Sequence, residues 1–118
     1  MENIAGAGYT MALRLTKNGI KCFGPGLVEL LNGVERTGSL RSAAGEMGMA
    51  YSKAWRIMGD AEAALGYTLL EKRTGGVHGG GAALTDSARM LIAAYCGFRA
   101  DMDRAAEAAL NKHFGGLL

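Results

Sequence analysis

With 118 residues, 49% hydrophobic and 20% charged, the chain suits one domain around one core and is too poor in charge for an extended disordered protein. A formal charge of +2 is no signature of nucleic-acid binding by itself, so the placement of the charge must carry any such argument. Cys22 and Cys96 lie far apart and outside any CxxC pattern, and two reduced thiols are expected. The N-terminal stretch lacks a basic region followed by a long apolar run. No stretch approaches the roughly 20 apolar residues of a membrane span. A cytoplasmic protein with no membrane contact is expected.

In chain order, residues 1–10 read as a lead-in. The segment MALRLTKNGIKCFG alternates about Asn18-Gly19, a pair suited to a tight hairpin because both turn positions favour positive φ. Strands are expected at about 11–17 and 20–23. Gly24-Pro25-Gly26 breaks the chain, and Pro25 can start a helix. Leu27, Leu30, Leu31 and Val34 then form one apolar stripe at helical spacing. Gly38 should end this helix in a left-handed cap and Ser39 should cap the next, at about 40–47. That second helix presents Leu40, Ala43, Ala44 and Met47 on one side, and its alanines permit close approach to a neighbour. Gly48 makes a turn. A third helix is expected from about 51 to 65, with Ala54, Trp55, Met58, Ala61, Glu62 and Leu65 at helical spacing and Gly66 as its stop. Trp55 is assigned to the core in this reading, because a large ring beside Ala54 and Met58 suits packing.

TLLEKRT at 68–74 reads as a strand, and 82–84 as its return. Between them the run GGVHGGG at 75–81 is costly to hold in regular structure. Thr85 should cap a last helix reaching about Lys112, with Asp86 near its positive end. On that helix Leu91, Tyr95, Phe98, Met102, Ala105 and Ala109 follow a 4-3-4-3-4 spacing, a heptad seam that asks for a partner helix. A homodimer is expected, with Leu91, Tyr95, Phe98 and Met102 at its interface.

The two short helices joined at Gly48 and followed by a hairpin have the order of a helix-turn-helix with a wing. Such a unit lays the start of its second helix in the major groove. Here that start carries Tyr51, Ser52 and Lys53, with Arg56 one turn on. Lys53 and Arg56 share a face and can reach guanine edges or phosphate. Lys72 and Arg73 precede the glycine loop, with Thr74 and His78 in or beside it, and Arg36 and Arg41 are expected near this group. A solvated helix face and a solvated hairpin would carry similar residues, so each feature alone is weak.

Other chemistries find no support. The glycine loop lacks the GxxxxGK[ST] pattern of a nucleotide cradle. His78, His113, Cys22 and Cys96 lack metal-ligand spacing. No nucleophile stands with a base and no carboxylate pair suggests acid–base work, so no enzyme, metal or other cofactor is expected.

The runs GMAYSKAWRIM and LLEKRTGGVHGGGAALT resemble the N-terminal DNA-binding domain of ModE-type molybdate-responsive transcription regulators and, more distantly, LysR-type regulators. The resemblance covers about residues 12–110. It rests on Tyr51, Ala54 and Trp55, then Glu71 and Arg73, Thr74-Gly75-Gly76, and Gly79-Gly80-Gly81-Ala82 running into Leu84-Thr85. It implies a winged helix dimerised through its flanking helices, with Ser52, Lys53 and Arg56 toward DNA. Ala50 stands where the family usually has serine, which removes a cap, and Val77 stands where its wing usually carries lysine. The chain ends at Leu118, where the family's molybdate-binding domains would follow, so no small-molecule effector is expected in this chain.

The expected architecture is therefore mainly α with small β. It is a winged helix-turn-helix spanning the chain as one domain, with an N-terminal β-hairpin and a long C-terminal dimerisation helix. The expected function is sequence-specific binding of double-stranded DNA by a dimeric transcription regulator. The alternative is a winged-helix protein-interaction module that does not bind DNA.

Overall fold

The computed structural model describes residues 6–73 and 81–118. Along them run β1 (Leu15–Lys17), β2 (Ile20–Phe23), α1 (Pro25–Thr37), α2 (Leu40–Glu46), α3 (Tyr51–Leu65), β3 (Leu70–Arg73), β4 (Gly81–Leu84) and α4 (Asp86–Phe114). This is the expected order of hairpin, three helices, hairpin and long helix.

Asn18 (φ 53°) and Gly19 (φ 79°) take the left-handed turn that their dipeptide predicts. β1 is shorter than the expected 11–17. Its partner β2 has four residues, and pairing runs only from Lys17↔Ile20 back to Leu15↔Phe23, with an irregularity between Leu15 and Thr16. Residues 11–14 therefore find no ladder. The carbonyl of Leu13 instead accepts a hydrogen bond from the Tyr95 hydroxyl at 2.9 Å.

The α1 stripe of Leu27, Leu30, Leu31 and Val34 is buried as expected, and so is Gly33. A Cβ built on Gly33 would lie 2.8 Å from the Ala43 Cβ, so the close α1–α2 contact needs this glycine as well as Ala43. The Gly38 N–H donates to the Val34 carbonyl at 2.7 Å and ends α1. Ser39 Oγ then accepts from the Ser42 N–H at 3.1 Å and starts α2. α3 buries Ala54, Met58 and Ala61, starts at Ala50 without a side-chain cap, and stops at Gly66 (φ 87°).

β3 and β4 pair antiparallel from Leu70↔Leu84 to Arg73↔Gly81. Leu69 and Leu84, at the base of this hairpin, are buried against the same core as Leu30, Leu31, Val34 and Met58. Thr85 Oγ1 accepts from the Ala88 N–H and donates to the Thr68 carbonyl, so one hydroxyl caps α4 and closes the hairpin.

α4 has 29 residues, and at 1.5 Å per residue it is about 43 Å long. It dominates the 60 × 30 × 23 Å extents of the chain. Its apolar seam is split. Tyr95 turns inward, where its ring meets Phe23 edge-on at 5.5 Å between centroids, and it is buried. The expectation of Tyr95 as an interface residue is corrected: its own chain covers it. Leu91 and Met102 are half-buried, while Phe98, Ala105 and Ala109 are exposed. The seam lies at an angle to the inward direction of α4, so one edge belongs to the core and the other faces outward.

Candidate nucleic-acid interface

α2, the Gly48 turn and α3 form the helix-turn-helix unit. α3 is fixed by its inner face of Ala54, Met58 and Ala61, which leaves Ser52, Lys53, Trp55 and Arg56 exposed and Tyr51 half-buried. Arg41, in the first turn of α2, places its guanidinium carbon 4.1 Å from the centre of the Tyr51 ring. This cation–π contact joins the two helices at the end of the unit where α3 begins.

Trp55 departs from its expected place. It is 48% exposed, and its ring meets Tyr51 edge-on at 6.1 Å and 77°. In helical phase Trp55 follows Tyr51 by four residues, on the shoulder of α3 beside the inner face. Ala54 and Met58 fill that inner face without it.

The hairpin β3–β4 is held to the helix-turn-helix at two points. The Glu62 carboxylate accepts from the N–H groups of Leu69 (2.6 Å) and Leu70 (3.2 Å), which fixes the start of β3 against α3. At the other strand the Ala82 N–H donates to the Gly38 carbonyl at 2.9 Å, and a Cβ on Gly81 would lie 2.7 Å from that same oxygen. The return strand thus runs hard against the α1–α2 turn, at a position that admits only glycine. Lys72 and Arg73 sit on β3, paired with Ala82 and Gly81 of that strand, and both are exposed. Thr74 and His78 lie outside the described residues.

Neither anchor follows from the sequence pattern alone. A signal for the first exists: a carboxylate at position 62 on an apolar helical stripe requires donors when it packs inward. The Gly81 contact has no local signal, because it depends on a turn more than forty positions away.

Four arginines are neutralised within the chain, while Arg14, Lys17 and Lys21 near the N-terminal hairpin and Lys112 at the end of α4 have no ion pair among the described residues. Arg36 pairs with Glu46, Arg89 with Glu35 and Asp86, Arg99 with Asp103, and Arg104 with Asp101. Arg36, expected near the wing, is thereby held against α2. Among the described residues, Arg41, Lys53, Arg56, Lys72 and Arg73 have no carboxylate within ion-pair distance. They stand on α2, the exposed side of α3 and the attached hairpin. Such an arrangement can meet a polyanion through unneutralised cations and a protruding helix face.

Among the described residues no group of His, Cys, Asp and Glu could hold a metal ion, and no helix is long and apolar enough to cross a membrane.

Comparison with known proteins bears on the same segment. The chain is 33% identical over 84 residues to the molybdenum-pterin-binding protein MopA of Rhodobacter capsulatus, covering 71% of this chain and 32% of that protein. It is 34% identical over 71 residues to the DNA-binding transcriptional dual regulator ModE of Escherichia coli (strain K12), covering 60% of this chain and 27% of that one. The chain thus spans about a quarter to a third of the length of these relatives. The DNA-bound CbnR DNA-binding domain matches with a TM-score of 0.47 at 26% identity, over 67% of this chain and 92% of that one. The resemblance to ModE-type regulators read from the recognition-helix and hairpin residues is borne out. The model of the lysR family of bacterial regulatory helix-turn-helix proteins matches residues 26–89, from the first turn of α1 through the hairpin to the start of α4, and the chain belongs to that family.

Proposed function

We propose that this chain is a sequence-specific DNA-binding domain of a transcription regulator, acting on double-stranded DNA as a homodimer. The single observation that carries the reading is the gathering of five cations without carboxylate partners among the described residues, Arg41, Lys53, Arg56, Lys72 and Arg73, on the helix-turn-helix and its attached hairpin. Ser52, Lys53 and Arg56 read base edges in the major groove. Arg41, Lys72 and Arg73 contact phosphates, with Thr74 and His78 assigned to the wing. The names of the ModE relatives, which describe transcriptional regulators, support the same role. The reading is of a binding protein without catalytic activity, in the cytoplasm where chromosomal DNA is reached.

The dimer reading rests on the outward edge of α4. Phe98 is 43% exposed, and Met102, Ala105 and Ala109 continue its stripe at helical spacing along α4. A second copy offers the same stripe, and a two-fold pair buries both at about 25 cal/mol per Å² of apolar area. Such a pair presents two recognition helices to two half-sites.

The exposed Trp55 favours a second reading, a protein-interaction module without DNA binding. Salt separates the two. Phosphate contacts release counterions, so duplex affinity should fall steeply between low and moderate salt. Fluorescence anisotropy with labelled duplexes at several salt concentrations tests this. Absence of binding at low salt to a duplex pool of randomised sequence would reject the DNA reading.

A further inference from the structure

We infer that Trp55, set by Tyr51, is an apolar reader of thymine C5-methyl groups in the major groove. This deepens the proposed function and rests on duplex DNA being the partner.

Trp55 is the sole tryptophan of the chain, and almost half of it lies in water although the inner face of α3 is apolar. Its orientation is constrained on one side. The Tyr51 ring meets it edge-on, and Tyr51 is in turn covered by the Arg41 guanidinium. The three side chains form a ladder from α2 to the second turn of α3, with the indole at its open end. Trp55 neighbours Arg56 in sequence and follows Ser52 by three residues, so it sits at the edge of the face assigned to the groove. Glu62, two turns further on the same shoulder, holds β3. The indole therefore shares a helical shoulder with Glu62, two turns nearer the start of α3.

The chemistry of the surroundings selects the occupant. A protein patch covering an exposed indole would be apolar, yet Arg56 follows this one in sequence and Arg41 lies behind it on the Tyr51 ring, both without a carboxylate partner among the described residues. A polyanionic partner with local apolar groups satisfies both features. In the major groove the base-edge group of that kind is the thymine methyl, which other base pairs lack. Insertion of the ring between base steps belongs to minor-groove wedges and does not suit the second turn of a groove-lying helix.

The test uses duplexes selected by the wild-type protein from a randomised pool, in which thymines are replaced one at a time by deoxyuridine, which lacks only the methyl. Removal of one buried methyl should weaken wild-type binding about fourfold at one or two positions. Trp55→Ala should bind the thymine duplex less tightly and show no difference between thymine and uracil there. Trp55→Phe, which keeps an apolar ring, should retain part of the discrimination, and equal melting temperatures would establish that all three proteins are folded. In the wild type, indole emission should shift to the blue on binding and become protected from acrylamide quenching. Tight binding to a selected duplex with Trp55 emission and quenching unchanged would overturn this assignment and leave the DNA reading intact. The same holds if the thymine-to-uracil differences persist in Trp55→Ala. Failure to bind any duplex would remove both.

Discussion

α3 and α4 treat their charges in opposite ways. α4 starts with a Thr85 cap and Asp86, ends with Lys112 and His113, and carries pairs such as Arg99 with Asp103 along its length. Each of these choices suits the helix dipole or offsets a neighbouring charge. α3 starts uncapped at Ala50, has no acidic residue in its first turn and places Lys53 there; α2 likewise has Arg41 in its first turn and no acid. A cation at that end costs about 0.3–1 kcal/mol. The helix that must persist beyond the core is charged for its own stability. The helices of the candidate interface carry their first-turn cations with no acid beside them in that turn, which fits the proposed DNA contact. Unfavourable helix electrostatics thus set the candidate interface apart from α4, which a formal charge of +2 could not do.

The comparison can be broken most severely at α4. Phe98→Glu places a charge on its outward stripe and should give a one-chain mass by light scattering. Affinity for a duplex with two half-sites should then fall by about 10²–10⁴, the drop expected when two linked binding events become independent. A wild-type mass of one chain at tens of micromolar would reject the dimer. Next in size is the recognition face itself. Lys53→Ala with Arg56→Ala should cost about 1–3 kcal/mol for each side chain that reads a base, and should lower the salt slope by about one for each that meets a phosphate. Unchanged anisotropy on both selected and random duplexes would sink the assignment of α3.

Smaller still is the hairpin anchor. Glu62→Ala leaves the Leu69 and Leu70 N–H groups without their carboxylate, and hydrogen bonds to charged groups contribute about 1.5–3 kcal/mol. Urea unfolding should show a lower midpoint with an unchanged slope, and amide exchange in β3 should quicken more than in α4. The smallest effect belongs to the N-terminal segment. The Tyr9 hydroxyl donates to Asp103 at 2.9 Å, and desolvation together with this bond raises the phenol above its ordinary value of 10.0. A raised folded value favours the neutral phenol, so its contribution is full below about pH 10 and is lost as pH rises through the folded value. Proteolysis of the segment should therefore quicken above that pH in the wild type, while Tyr9→Phe should show no such step.

Much of the fold is legible in the sequence. The turns and caps at Asn18-Gly19, Gly38-Ser39, Gly48, Gly66 and Thr85 depend on the conformational preferences of one or two residues, and each falls where those residues predict. The stripe from Leu27 to Val34 is set by helical spacing alone. The polar residues of the candidate interface are legible for the same reason: Ser52, Lys53 and Arg56 lie opposite Ala54, Met58 and Ala61 in a helix of known phase. The extent of β1 is not legible, because a strand ends where its partner ends.

Sequence by itself determined the order of elements, their ends and the polar side of the recognition helix, since local preference and periodicity specify these. Tertiary structure decided which edge of each stripe is inside. Tyr95 and Phe98 occupy one seam, yet Tyr95 bonds to Leu13 and packs on Phe23 while Phe98 faces out. Trp55 stands at core spacing, yet the inner face closes on Ala54, Met58 and Ala61 and leaves the ring in water. Tertiary structure likewise tied the hairpin to the helices through Glu62 and through the Gly38 carbonyl against Gly81. Periodicity fixes an angle around a helix axis, and only the neighbours that arrive from distant parts of the chain decide which angles they cover.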